Sequence, residues 1–600
     1  MYNTYPPHKF HIPVMGLAYT IDSPVKVARF GIASVISIVE DGLLEMMRSY
    51  YCATTKEKYN PISKKEDDYR ARRVTDYLNL VNKIVNEQVD KLKASAFEKG
   101  SEIIKYFEML PDDSKLKELY VYMKSIDDLS KKEEIETFLR TQIQPGNIDV
   151  NIMTKVDGNR FDKEGALLQD GSEAVSALRG YAKSDLVNSS VIFSAGMNPR
   201  LFNYMETQDV FDADENGVFK KKVIIKVSDY RSALIQGKYL AKKGIWVSEF
   251  RIESGLNCGG HAFATEGFLM GPILEEFKTK KEELVEALFQ LYNQAIKAKG
   301  KPGFDKPHAV KITAQGGIGT FEEHDFLHKH YGVESTGWGT PFLVVPEATT
   351  VDEHTLDQLC KAGKEDVMLS KNSPLGVRFH YLKNSSAEIE KLERIAAGKP
   401  GSPCTEEHLA LNTEFTEEPI CTASRKYQKL KLAHLETLQL PEEEYQQQVA
   451  DTVAKECLCV GLSNSAAKVI DRKFVKHSDA VNICPGPNIA YFSKVVSLQT
   501  MTDHIYGRTD VVENNERPHM FVAELGLYVN HYKEQLQGNQ HETDAKQMKY
   551  CREYYKNLLE GIAYYRALPG LAQSNRPQFL QSLDIAEAEL NALSCQFGIA

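Results

Sequence analysis

The sequence predicts an α/β protein built on a closed (β/α)8 TIM barrel, and three observations lead there. Strand and helix signals alternate through most of residues 145–385, as a parallel sheet with crossover helices requires. With two strands near the N-terminus the strand signals number eight, the count at which such a sheet closes. The composition of 42% hydrophobic, 26% charged and 10% aromatic residues is globular, and excludes wholesale disorder, a collagen-like repeat or a small disulfide scaffold.

In chain order, residues 12–14 form the first strand, which ends in the turn Met15-Gly16. Ser23 is expected as the N-cap and Pro24 as the first residue of a helix that runs to Phe30 and stops at Gly31, because a hydroxyl accepts from an orphan N–H and a proline has none to lose. The apolar run 33–39 is the second strand. From residue 41 to 144 the pattern turns charge-rich with a helical period: Val74, Leu78, Val81, Val85, Val89 and Leu92 recur every three or four residues, so one face is apolar. This segment reads as a helical insertion, its Lys and Glu residues a solvated face, that divides the barrel into 1–40 and 145–385. Further strands are expected at 148–153, 190–194, 223–228, 244–251, 309–314 and 337–345. Residues 386–600 read as a mainly helical C-terminal region, with long helical patterns at 424–458 and 541–566. Tyr550, Tyr554, Tyr555, Tyr564 and Tyr565 stripe the second of these and are expected to pack against neighbours rather than bind a ligand.

Several function classes lose their support. Lys and Arg number 73 against 83 Asp and Glu, a net charge of -10, which offers no broad basic field for a phosphate backbone and makes nucleic acid an unexpected partner. The longest apolar run, 30–39, lies between Arg29 and Glu40, about half of what a membrane span needs. With no basic and apolar leader at the start, a cytoplasmic location is expected. The ten cysteines are scattered like reduced thiols. Cys457-x-Cys459 with Cys484 lacks a fourth metal partner, and His324 with His328 lacks a third, so no metal site is expected. Neither G-x-S-x-G nor G-x-x-x-x-G-K-[ST] occurs, and Gly317-Ile318-Gly319 fails the dinucleotide fingerprint at Glu322.

Chemistry concentrates at three glycine-bearing strand ends. Gly255-Leu256-Asn257-Cys258-Gly259-Gly260-His261 follows the sixth strand, at the end of a barrel where active sites lie. Adjacent glycines there let the backbone approach a flat ring or a phosphate, and His261 faces what lies beyond. Ala314-Gln315-Gly316-Gly317-Ile318-Gly319 and Gly337-Trp338-Gly339-Thr340 close the next two strands, where backbone N–H groups of a barrel's last loops hold phosphates.

In this order, the clusters resemble the nitronate monooxygenase family, also called 2-nitropropane dioxygenase-like, and the related flavin-dependent enoyl-acyl-carrier-protein reductases. The family's G-x-E-A-G-G-H looks like Gly255 to His261, its A-G-G-I turn looks like Ala314 to Ile318 with Gln315 inserted, and its G-T-x-F-x-x-x-x-E looks like Gly339 to Glu347. Fainter likenesses fall at Pro13-Val14-Met15-Gly16, Val150-Asn151, Gly196-Met197-Asn198-Pro199 and Lys371 to Gly376. The resemblance covers 10–40 and 148–380, and Asn257-Cys258 stands where the family carries Glu-Ala. It implies an FMN-binding barrel, with Gly316, Gly317, Gly339 and Thr340 on the FMN phosphate and Met15, Gly16 and Asn151 along the isoalloxazine and ribityl chain. Gly259 and Gly260 would pass close to the ring, and His261 would be the catalytic base. The implied activity is FMN-dependent oxidation of alkyl nitronates or nitroalkanes by dioxygen. The alternatives are an NAD(P)H-dependent enoyl-thioester or quinone reductase on the same flavin, and a degenerate barrel serving as a binding or scaffold protein.

Overall fold

The computed structural model describes residues 6–153, 157–161, 164–194, 196–259, 266–512, 516–538, 545–570 and 576–599. Eight parallel strands close into one barrel in sequence order: β1 (Phe10–Ile12), β2 (Ala33–Ser37), β3 (Ile148–Ile152), β4 (Ser189–Phe193), β5 (Lys221–Val227), β6 (Val247–Glu253), β7 (Lys311–Gln315) and β8 (Ser335–Gly337). Closure is made by Phe10 opposite Thr336 and His11 opposite Gly337. The fold class is the one the alternation predicts. The eighth strand is not at the expected 337–345 but ends at Gly337, because residues Thr340–Val344 wind into a 3-10 turn with Pro341 in its first positions. A proline has no N–H for a strand ladder and suits the start of a helical turn.

The segment after β2 is helical, as Asp41–Thr55, Tyr69–Ala94, Glu102–Met109, Lys115–Ser125 and Leu129–Gln142. Val74, Leu78, Val81, Val85, Val89 and Leu92 are all buried. Their face lies against the helix Glu173–Lys183, where the Thr75 hydroxyl donates to the Gly180 carbonyl at 2.9 Å. The first helix, Ser23–Val27, is preceded by Asp22 with no side-chain cap. Ser23 is therefore not the cap: it is already helical, and its hydroxyl donates instead to the Ala348 carbonyl at 2.6 Å.

After the barrel come a two-stranded antiparallel sheet, β9 (Val367–Ser370) with β10 (Phe379–Leu382), and then helices. The long pattern at 424–458 splits into Arg425–Thr437 and Glu442–Val453, with Pro441 capping the second. Tyr554 and Tyr565 of the tyrosine stripe are fully buried, and Tyr554 stacks on Tyr532 at 5.8 Å. Leu274 and Phe277, on the barrel helix Met270–Ala298, share one contiguous apolar cluster with Phe521, Leu558 and Leu590 of the C-terminal helices. Among the described residues no helix is long and apolar enough to cross a membrane.

The barrel interior is layered. Val35, Ile192 and Ile224 form a small apolar layer. A polar network accompanies it, in which Arg251 Nε and the Thr313 hydroxyl both donate to one oxygen of Glu249, at 2.9 and 2.6 Å. Burial lifts the Asp149 carboxyl to about 6 despite the pull of Arg251. Alternation then brings polar side chains back at the C-terminal mouth.

Candidate active site

A cavity of about 390 Å³ lies over that mouth. Residues at or just beyond the ends of β1 to β6 form its barrel side, among them Val14, Ser37, Asn151, Lys226 and Glu253. Its roof comes from far along the chain, as Phe379, His408, Leu409, Leu458, Cys459 and Leu462. Barrel and C-terminal region thus build the chamber together.

Glu253 organises the barrel side. Lys226 Nζ stands 3.1 Å from its Oε1, Asn257 Nδ2 donates to the same oxygen at 2.6 Å, and Gln315 Nε2 donates there too. On the neighbouring wall Asn151 is only 6% exposed, yet its Oδ1 has no hydrogen-bond partner among the described residues. A buried acceptor left unsatisfied is costly, and marks a place where a ligand N–H or a water belongs.

The roof is pinned by charge. His408 Nε2 lies 2.5 Å from Glu40 Oε2 and its Nδ1 lies 3.2 Å from Glu173 Oε2. Burial opposes a charge on this ring, but the carboxylates of Glu40 and Glu173 outweigh it and raise the imidazole to about 10. Burial likewise opposes ionisation of Glu173, but His408, Arg70 and Arg160 outweigh it and hold the carboxyl down to about 2. Arg70 and Arg73 continue the network to Asp41 at 2.9 and 2.8 Å, tying the inserted helices to the roof. Glu40, Glu406 and His408 bring ligand atoms within 4.8 Å of one another. Within this trio His408 pairs with Glu40 at 2.5 Å, while Glu406 lies 3.7 Å from Lys64 Nζ.

The residues singled out in the sequence fall into two places. Gly16, Asn151 and Gly259 line the large cavity, and Met15 is fully buried. Gly260 and His261 lie outside the described residues. Gly259 has φ +75°, and a Cβ on it would meet Met15 Cα at 2.4 Å. Close crossing of the β1 and β6 loops therefore demands a glycine there.

Gly316, Gly317, Gly339 and Thr340 do gather at one cleft, between the ends of β7 and β8, but it holds only about 10 Å³. That is barely room for one water molecule. The chain itself fills the place. The Thr340 hydroxyl donates to the Pro485 carbonyl at 2.6 Å, Gly259 N–H to the Cys484 carbonyl at 3.0 Å, and Asn488 Nδ2 to the Gly317 and Ile318 carbonyls at 2.8 and 3.1 Å. At the start of the helix Phe321–Tyr331, Gly319 N–H donates to Glu323 Oε2 at 2.8 Å. Arg517 grips the same carboxylate with both terminal nitrogens, at 2.8 and 2.9 Å. As folded, this cleft has no room for a phosphate.

Sequence reasoning missed Lys226, Glu253 and His408. The first two had a signal, since each is a charged residue on the inward parity of an apolar strand, with Ile224 and Arg251 respectively. His408 had none, because its partner Glu40 is 368 residues away. His324 is structural: its Nδ1 meets the Thr336 hydroxyl at 2.7 Å, and burial lowers its pKa and that of His328.

No family model matches the sequence, and no curated protein matches it. Among solved structures the chain is similar to the enoyl reductase domain of MlnA from the macrolactin biosynthesis cluster of Bacillus amyloliquefaciens, at 16% identity over 73% of this chain and 88% of that one, with a TM-score of 0.33. A likeness at that level carries no argument about chemistry, so the reading of the site rests on its geometry.

Proposed function

We propose that the barrel mouth is the active site of a flavin-dependent oxidoreductase, with the isoalloxazine of FMN in the cavity beside Asn151, Lys226 and Glu253. The observation that carries this reading is the cavity of about 390 Å³ over six strand ends, with a buried Asn151 carbonyl on its wall that has no partner among the described residues. Enzymes on this fold work at this end of the barrel, and the size suits a cofactor site. A bound flavin supplies hydride and electron transfer.

The chain's own part is to hold and orient. Asn151 Oδ1 would offer a bound flavin an acceptor, Gly16 and Gly259 would present backbone without side chains, and the Lys226–Glu253 pair would supply fixed charge in the same cavity. Phe379, Leu458 and Leu462 give the cavity an apolar roof. The specific reading is oxidation of alkyl nitronates or nitroalkanes by dioxygen, with His261 taking the α proton of neutral substrates. NAD(P)H-dependent reduction of an enoyl thioester or quinone is the alternative. For the phosphate to reach Gly316, Gly317, Gly339 and Thr340, residues 484–488 have to withdraw.

That filled cleft favours a second reading, a barrel that takes its ligand into the same cavity without a flavin, as a binding or scaffold protein. Adding FMN to the full-length chain and then a nitronate in air separates the readings. Bound FMN with nitrite release supports nitronate oxidation, and bound FMN with NAD(P)H consumption but no nitrite supports the reductase. A chain that takes up no FMN leaves the second reading.

A further inference from the structure

A phosphate gives up water on binding and needs cations or charge-assisted donors in exchange, since a phosphate monoester carries about -1.5 to -2 charges at pH 7. Among the described residues that line the cleft between β7 and β8 there is no Lys, Arg or His. Arg517 reaches its edge, but all three guanidinium nitrogens are committed. Nε donates to Asn488 Oδ1 at 3.1 Å, one terminal nitrogen to Glu323 Oε1 at 2.8 Å, and the other to the Gly317 carbonyl at 2.7 Å and Glu323 Oε2 at 2.9 Å. Met520 N–H also donates to Glu323, at 2.6 Å. Burial opposes ionisation of Glu323, but Arg517 outweighs it and holds the carboxyl below its ordinary value. The pair therefore brings no net positive charge to the cleft.

The backbone that fills the cleft presents oxygen to it. The Thr340 hydroxyl is spent on the Pro485 carbonyl at 2.6 Å, and the Asn488 amide nitrogen on the carbonyls of Gly317 and Ile318. Gly486 has φ +70°, and a Cβ on it would meet Thr340 Oγ1 at 2.9 Å and the Asn257 and Leu256 carbonyl oxygens at 3.3 and 3.4 Å. Bare backbone thus threads a gap between acceptors. The segment is also built into the core. Ile483, Cys484 and Ile489 are buried, the Tyr19 hydroxyl donates to the Asn482 carbonyl at 2.6 Å, and Asn482 N–H donates to the Gly461 carbonyl at 2.9 Å.

The large cavity over the mouth repeats the pattern. Among its described lining residues the cations are Lys226 and His408, and each already faces carboxylate: Lys226 stands 3.1 Å from Glu253, and His408 lies between Glu40 and Glu173. The other polar side chains on the wall are hydroxyls and amides, such as Ser37, Ser254 and Asn151. Neutral donors and acceptors of this kind suit an uncharged, hydroxyl-bearing ligand and do not offset a dianion.

We propose that the flavin this mouth is built for is one without a phosphate, riboflavin, held through its ring and its uncharged ribityl hydroxyls. The inference rests on the flavin reading and deepens it: FMN enters as well, but its phosphate adds nothing to the affinity. The full-length chain is titrated with riboflavin and, in parallel, with FMN, in a buffer free of phosphate, following the quenching of flavin fluorescence. Both flavins bound, with riboflavin held at least as tightly as FMN, supports the proposal. FMN held more tightly than riboflavin overturns it and leaves the flavin reading standing. So does an excess of inorganic phosphate that weakens FMN binding and spares riboflavin. Neither flavin bound overturns the flavin reading and this inference together. Asn488→Ala, which loosens the filled cleft, should tighten FMN binding several-fold and leave riboflavin binding unchanged, and equal gains for the two would count against the proposal. Because that variant could fail to fold, the comparison of the two flavins on the wild-type chain decides.

Discussion

His408 shows how one side chain can set the behaviour of a whole wall. Its pKa of about 10 in the folded chain stands above the ordinary value of about 6.5, so its stabilisation is complete below pH 6.5 and is lost as the pH climbs through 10. Glu173 runs the other way: with a folded value of about 2 against about 4.3 when free, its contribution is complete above that value and is lost as the pH falls toward 2. Replacing His408 by Gln removes a buried charge from between two carboxylates, which costs about 3–5 kcal/mol. Denaturant titrations of H408Q and the wild type should differ by that amount at pH 6 and converge near pH 10. A gap that stays constant across this range would mean the imidazole is neutral.

At the scale of elements, residues 484–488 and 517–520 latch the ends of β7 and β8. Asn488→Ala removes two hydrogen bonds to the Gly317 and Ile318 carbonyls, a loss of about 1–3 kcal/mol. Under the flavin reading it should also loosen the segment and tighten FMN binding several-fold, measured by fluorescence titration. Unchanged or weaker binding would mean that the segment does not compete with the phosphate. Arg517→Gln strands Glu323, whose side chain is 2% exposed, and should cost about 3–5 kcal/mol, read as a shift in the urea midpoint. Elements also show where sequence reasoning ends. Alternating strands and glycine-bearing strand ends carry a local period, so the barrel was legible. The end of β8 was not, because Pro341 turns an apolar run into a 3-10 turn. The plug at 484–488 has no local signature, since its partners lie about 145 to 171 positions earlier in the chain.

In the whole molecule, barrel and C-terminal helices share one core, and Phe521 stacks on Tyr565 at 4.8 Å within it. Cutting the chain after residue 385 would expose that surface at about 25 cal/mol per Å² of apolar area. The truncated chain should be insoluble, and the intact chain should unfold in one calorimetric transition. A soluble, folded fragment 1–385 would show that the C-terminal region is dispensable to the barrel. The central claim, that the barrel mouth receives a flavin ring against Asn151, is tested most directly by titrating FMN into the full-length chain and into Asn151→Leu, following the flavin absorption band and fluorescence. The expected result is one FMN bound per wild-type chain with a perturbed band, and at least tenfold weaker binding in the variant. Equal binding by both would remove Asn151 from the site, and no binding by the wild type would contradict the flavin reading itself.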